Sequence, residues 1–333
     1  MKYKKKEKKL QKENITTAVC ALLNSGGGLV RVQIENKDFD YRLDTLGLDI
    51  EKSLDELISN TTSKDYFDIT QDGLYLNIFV KSWTTKFFLS RICSVDTGLY
   101  SRSFTSKKKA SPMQVMDMME EKSKGKRARF DQTLFFPEQI NELLDRKYFH
   151  LNEKLPLSES LYMEFKDFSG ASDKVRIQEA IPDYFSAFAN SDGGCLIIGV
   201  DNDAKVKGCC TQCSESETKH LVEERIRKLK SIHFDYCDEG APSYKLTITN
   251  VRDDQNKPSG FVIILKIEPF CCLTFADDPQ SWIMNSDSFV SHIEDLKQLN
   301  PSEWIEMMST KDTEGTIHGT EGKYYILAMQ PED

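Results

Sequence analysis

The clearest alternation of apolar and polar positions runs from Glu159 to Asp203. Leu161, Met163 and Phe165 alternate with Tyr162, Glu164 and Lys166, the period of a strand with one buried face. Ile177, Ile181, Tyr184, Phe185 and Phe188 then recur at helical spacing, so one face of a helix is apolar. Asn190 to Gly194 supply turn residues, and Cys195 to Val200 is an apolar run suited to a strand buried on both faces. That strand delivers Asp201, Asn202 and Asp203 to its end. Neighbouring strands would set this cluster beside Glu159 and Glu164, a candidate metal–carboxylate site.

The same order of elements occurs near the N-terminus. Residues 1–14 are mostly Lys, Glu and Gln, helical by propensity, and Ile15, Val19, Leu22 and Leu23 mark an amphipathic helix. Gly26 to Gly28 stop it, and Leu29 to Ile34 follows as a strand. CALLNSGGGLVRVQIEN (20–36) aligns without a gap on SAFANSDGGCLIIGVDN (186–202), with Asn24 on Asn190, Ser25 on Ser191, and Gly27 and Gly28 on Gly193 and Gly194. GLYLNIFVKSW (73–83) likewise matches GFVIILKIEPF (260–270). Two matches in one order predict an α+β fold built by internal duplication. The pattern further predicts helices around 112–122, within 133–153 and at 220–229, and a strand pair at 244–248 and 260–267. Trp282 and Trp304 fall in a closing segment. Residues 105–132 are charged, and a mobile segment is expected in them after the helix at 112–122. From Ser309 the pattern fades, and only Tyr324 to Met329 is apolar enough to dock.

A chain of 333 residues can form two lobes, each with its own core. The net charge of −9 argues against blanket nucleic-acid binding but allows a local basic groove, and lysines do cluster in residues 2–12, 107–109 and 122–129. No stretch is apolar enough to cross a membrane, and the basic start lacks a signal-peptide core. Nine cysteines, some adjacent, favour reduced thiols or metal binding over a disulfide framework. A cytoplasmic protein is expected, with nuclear placement left open.

CALLNSGGG, IFVKSW, LYSRSFTS, ESLYMEFKDF, SAFANSDGGCLIIGVD, EPFCC and QSWIM, in this order, resemble the core domain of the Schlafen family over roughly residues 10–308. The resemblance implies two pseudo-symmetric AlbA-like lobes joined by bridging helices into a U-shaped body. The lobes would be 1–110 and 154–308, with bridging helices and linker at 111–153 and a tail at 309–333. It implies a groove for tRNA or rRNA and, in active members, cleavage at a three-carboxylate site holding Mg or Mn. The first two acidic positions fall on Glu159 and Glu164, the third on Asn202. Asn offers a carbonyl oxygen but no charge, so the site would hold metal more weakly. Asp201 and Asp203 are candidate substitutes, although a one-residue shift turns a side chain to the other face. Glu159 and Glu164 are five apart, so convergence requires Glu159 to lie in the turn before the strand. The family's chains often begin further upstream than Lys4, so the first lobe's opening strand is either absent or supplied from elsewhere.

The resemblance also implies a structural zinc on His233, Cys237, Cys271 and Cys272, with Asp235 at the family's second ligand position as a replacement. Cys210 to Cys213 is a CxxC without a second pair, better read as a surface loop. The turns NSGGG and NSDGG do not supply a P-loop, so nucleotide hydrolysis is the weakest hypothesis. Arg31, Arg102, Lys174 and Arg176 are candidate phosphate contacts, and Lys166 either contacts phosphate or pairs with Glu164. The leading reading is a metal-dependent endoribonuclease acting on tRNA or rRNA. The alternative is a protein that binds such RNA without cutting it, and a third is an interaction module restraining growth or opposing viruses. The short acidic tail is a candidate competitor for the RNA groove. No membrane and no sequence-specific DNA partner is expected; a homodimer is compatible with the sequence.

Overall fold

The computed structural model describes residues 2–35, 37–43, 45–58, 65–81, 92–123, 138–169, 173–234, 237, 240–285, 290–309 and 325–329. Helix α1 (Lys2–Asn24) leads into β1 (Gly28–Gln33), and α2 (Thr45–Leu57) precedes the hairpin of β2 (Phe67–Asp72) and β3 (Tyr75–Val80). A second hairpin, β4 (Tyr100–Ser103) and β5 (Ser106–Lys109), leads to α3 (Pro112–Ser123), α4 (Glu138–Leu144) and β6 (Tyr148–His150). Next come β7 (Met163–Lys166), α5 (Asp173–Ala189), β8 (Gly194–Ile198), α6 (Glu215–Arg227) and β9 (Lys230–Ile232). The long hairpin β10 (Tyr244–Arg252) and β11 (Pro258–Ile267) precedes β12 (Leu273–Phe275), β13 (Trp282–Met284), β14 (Val290–Ser291) and β15 (Leu296–Gln298). Helix α7 (Pro301–Ser309) and strand β16 (Tyr325–Met329) end the described chain.

The chain is mixed α+β and divides into two compact units with interleaved segments. One comprises Met1–Thr97, Ser111–Met116 and Asp278–Asp333, the other Gly98–Ala110 and Asp117–Asp277. These bounds differ from the lobes expected at 1–110 and 154–308, because β4–β5 joins the second unit and everything from Asp278 joins the first. The polar start is continuous with the amphipathic helix in α1, whose Ile15, Val19, Leu22 and Leu23 are buried. Helix α2 was not anticipated, although Ile50, Leu54 and Leu57 repeat at helical spacing and are buried. The helix expected around 112–122 is α3, and β5 just before it was not anticipated; the segment expected to be mobile after that helix, and Phe135 and Phe136, lie outside the described residues.

The first unit's sheet runs β14-β16-β1-β3-β2 and the second's β6-β10-β11-β8-β7. Strand β16 is parallel to β1, and β1, β3 and β2 are mutually antiparallel neighbours. Strand β7 is parallel to β8, and β8, β11 and β10 alternate in the same way. Gly28 faces Val80 as Gly194 faces Ile267, so the register agrees with both alignments read from the sequence. The tail strand β16 therefore holds beside β1 the place that β7 holds beside β8.

Matching residues also make matching bonds. The Asn24 side chain accepts the Cys93 N–H at 2.8 Å and donates to the Cys93 carbonyl at 3.0 Å. Asn190 does the same to Thr274, both at 2.8 Å. Ser25 Oγ accepts the Met284 N–H and Ser191 Oγ the Arg102 N–H, each at 2.9 Å. In the second unit α5 and α6 cover one sheet face, while α4, Phe149 and Leu155 cover the other. Strand β7 is consequently not half-buried as its alternation predicts. Met163 and Phe165 pack into the second of these faces, and Glu164, on the other, is also buried.

Candidate functional site

Ser160 and Met163 close a tight turn through backbone hydrogen bonds of 3.0 and 3.3 Å, which leaves Glu159 ahead of β7 rather than in it. Its Oε1 accepts the Phe165 N–H at 3.1 Å, one residue from Glu164. The turn thus fixes the Glu159 carboxylate on the β7 backbone next to Glu164, instead of leaving the two residues on opposite faces of one regular strand.

Glu164 is only 4% exposed, and both of its oxygens are occupied. Oε2 accepts from Arg102 Nη1 at 2.7 Å; Oε1 accepts from Lys166 Nζ at 2.6 Å and from the Tyr184 hydroxyl at 2.9 Å. Burial, then the charge and hydrogen bond of Glu164, push the Tyr184 hydroxyl far above its ordinary pKa, and Glu159 adds a smaller push. Arg102 is not on the surface as expected of a phosphate contact. Its side chain is fully buried, donates to the carbonyls of Leu161 (3.2 Å) and Ser160 (2.9 Å), and lies over the Phe188 ring at 4.7 Å. Nothing local in the sequence could have shown this, because the partners are 62 residues apart.

The third acidic cluster is organised separately. Asp201 Oδ1 accepts the N–H groups of Asp203 (3.0 Å) and Lys205 (2.9 Å), and Oδ2 faces Lys207 Nζ at 3.4 Å. Burial works to raise the Asp201 pKa, but these N–H groups and Lys207 outweigh it and hold the carboxyl below its usual value. The side chains of Asn202 and Asp203 are exposed. In the parallel pairing Glu164 faces Leu196, well before this turn. Among the described residues no hydrogen bond or ion pair joins 201–203 to Glu159 or Glu164. Mg or Mn does not fit the pair as it stands. Two carboxylates beside Arg102 and Lys166 carry no net charge, and a hard divalent cation needs free anionic oxygens.

The proposed zinc ligands do converge. Pairing of Leu273 with Ile232 sets Cys272 beside His233. The donor atoms of His233, Cys237 and Cys272 lie within 4.8 Å of one another. Cys271 Sγ is 3.8 Å from Cys272 Sγ and lies against Cys237 Sγ, with the Cys237 and Cys271 Cα atoms 6.1 Å apart. A tetrahedron with Zn–S bonds of ~2.3 Å has edges of about 3.8 Å, so His233, Cys237 and Cys272 suit zinc in kind and spacing; Cys271 is joined to Cys237 as a disulfide in this structure, and a fourth donor requires that pair reduced. The Phe234 N–H donates to Cys272 Sγ at 3.2 Å, a contact that favours the thiolate. Asp235 lies outside the described residues. Cys209, Cys210 and Cys213 form no such donor group among the described residues.

Of the remaining basic candidates, Arg31 is exposed over the Tyr75 ring at 4.2 Å, and Lys174 and Arg176 are exposed in the first turns of α5. Lys166 is committed to Glu164.

Residues 159–288 match the family model described as Schlafen, AlbA_2. This chain carries a Schlafen-family core domain. The Schlafen match starts at Glu159 and spans the carboxylate pair, the 201–203 turn and the four-donor cluster. Residues 54–142 match the model described as Poxviridae B3 protein, a stretch that contains the β2–β3 and β4–β5 hairpins. Among the described residues, no helix is long and apolar enough to cross a membrane.

Proposed function

We propose that this chain binds structured RNA of the tRNA or rRNA kind and holds it without cutting it. The reading rests on the Schlafen AlbA_2 domain for the nucleic acid and on one observation for the absence of cleavage: every oxygen of Glu164 is already paired with Arg102, Lys166 or Tyr184. Asn202 at the third acidic position points the same way. Exposed cations at Arg31, Lys174 and Arg176 would meet phosphates. We further infer that the two units are copies of one ancestral unit, and that His233, Cys237, Cys271 and Cys272 hold a structural zinc. The cytoplasm is the compartment this RNA would share with the protein.

A second reading, metal-dependent endoribonuclease, draws on the convergence of Glu159 with Glu164. It requires a cation to displace Lys166 and Arg102 from Glu164. Restraint of viruses draws nothing from a stretch that resembles a poxvirus protein.

The test pairs a binding assay with a denaturing gel, using folded tRNA with Mg²⁺ or Mn²⁺. The parent protein runs beside Glu159→Ala and Asn202→Asp. Retained tRNA, weakening steeply as salt rises, with no fragments from any of the proteins, is the expected result. Fragments that disappear in Glu159→Ala would overturn the non-cleaving reading in favour of the second.

A further inference from the structure

The β4–β5 hairpin turns through Phe104 and Thr105, with Ser103 paired to Ser106. Phe104 is 85% exposed and sits at φ 54°. Turns reserve that left-handed region for Gly, Asn or Asp, and for a bulky side chain it is an outlier. Of the non-glycine residues at positive φ among those described, Phe104 is the one large aromatic, and two of the others are Asn. The fold thus accepts backbone strain and an apolar ring in water at one place, and no hydrogen bond or ring contact of Phe104 among the described residues repays either. Strain retained where packing does not need it points to function.

The base of the hairpin is held rigidly. Tyr100 N–H donates to Ser186 Oγ at 3.1 Å and Arg102 N–H to Ser191 Oγ at 2.9 Å, while the Arg102 side chain is locked on Glu164. Lys107 pairs with Asp183 and lies over the Tyr184 ring at 4.6 Å. The tip therefore projects from a fixed support, with Lys108 and Lys109 exposed along the strand that leaves it. A ring at the tip among hydroxyls, with lysines further along the same hairpin, matches the two needs of an unpaired strand, a stacking surface for a base and cations for its phosphates.

We propose that Phe104 is a stacking residue for an unpaired RNA base, with Lys108 and Lys109 contacting the flanking phosphates. This rests on the RNA-binding reading and adds to it a preference for loops or bulges over continuous duplex.

The experiment measures binding of the full chain to two labelled RNAs of equal length, a stem with an unpaired loop and a fully paired duplex. The loop carries 2-aminopurine to report stacking. Phe104→Asn suits the turn's backbone, so its melting temperature should equal or exceed the parent's. Its affinity for the looped RNA should fall about 5- to 150-fold, the range for losing one stacked base, with duplex affinity little changed. Phe104→Trp should restore both affinity and 2-aminopurine quenching. Equal affinity of parent and Phe104→Asn for looped RNA would overturn the stacking role while leaving RNA binding intact. If the parent binds neither RNA, the RNA-binding reading itself falls, and the stacking role with it. Vesicle binding lost in Phe104→Asn, with RNA binding unchanged, would overturn it in favour of a membrane contact.

Discussion

Glu164→Gln separates a structural carboxylate from a catalytic one. The substitution keeps the side chain's shape and one carbonyl oxygen but removes the charge facing Arg102, whose side chain has no exposure at all. Breaking a buried pair by removing one partner costs about 3–5 kcal/mol, because the other charge is left without compensation. Lys166 is 26% exposed and can turn towards water, so the burden falls on Arg102. For a domain of 150–250 residues each kcal/mol moves the melting temperature by about 2–4 °C, so a fall of roughly 6–20 °C is expected.

Thermal unfolding followed by circular dichroism measures it, with the double variant Arg102→Met/Glu164→Leu as control. Met284 and Leu327 hold the corresponding positions in the first unit, Met284 through its N–H to Ser25 and Leu327 through the β16 register. Replacing both charges removes the uncompensated one, and the double variant should recover at least half of the loss despite the freed Ser160 and Leu161 carbonyls. A Glu164→Gln protein melting within about 2 °C of the parent, or above it, would refute the reasoning. Glu164 would then not be needed to balance Arg102 and would be available to a cation.

Two further outcomes follow from the same geometry. The purified chain should release one zinc per molecule to a chromogenic indicator when its thiols are blocked, and His233→Ala or Cys272→Ser should release none; a metal-free chain with Cys237 and Cys271 joined under non-reducing mass spectrometry would contradict this. Deleting the chain beyond Ser309 removes β16 and bares the edge of β1, so lower stability and edge-driven aggregation are expected. A truncated chain of parental stability and higher RNA affinity would instead identify the tail as a competitor for RNA.

What the sequence disclosed was whatever repeats locally. Asn24 and Asn190 align because each closes its helix and grips both backbone groups of one distant residue, a task that tolerates few side chains. Glu159 could be placed in a turn by parity once the resemblance required it to converge with Glu164. Helix α2 escaped because Gly47 and its acidic residues dilute a short apolar stripe. The pairings of β16 with β1 and of Arg102 with Glu164 were hidden for another reason: both are made by segments far apart in the chain.

A third correspondence was hidden by exchange. Strands β4 and β5 form a hairpin leading into α3 (PMQVMDMMEEKS), and β13 and β15 form one leading into α7 (PSEWIEMMS). Ser111 with Gln114 and Asn300 with Glu303 cap the two helices by the same reciprocal bonds. Yet β4–β5 belongs to the second unit and β13–β15 to the first. Each unit therefore completes itself with an arm placed distantly in sequence, and Arg102 and Met284 arrive at equivalent points on those arms. Since the first unit folds with Met there, the buried ion pair is not a requirement of the architecture. What Arg102 adds is its grip on the Ser160 and Leu161 carbonyls, the turn that places Glu159 against the β7 backbone next to Glu164. The charge that neutralises the carboxylate pair is the one that assembles it.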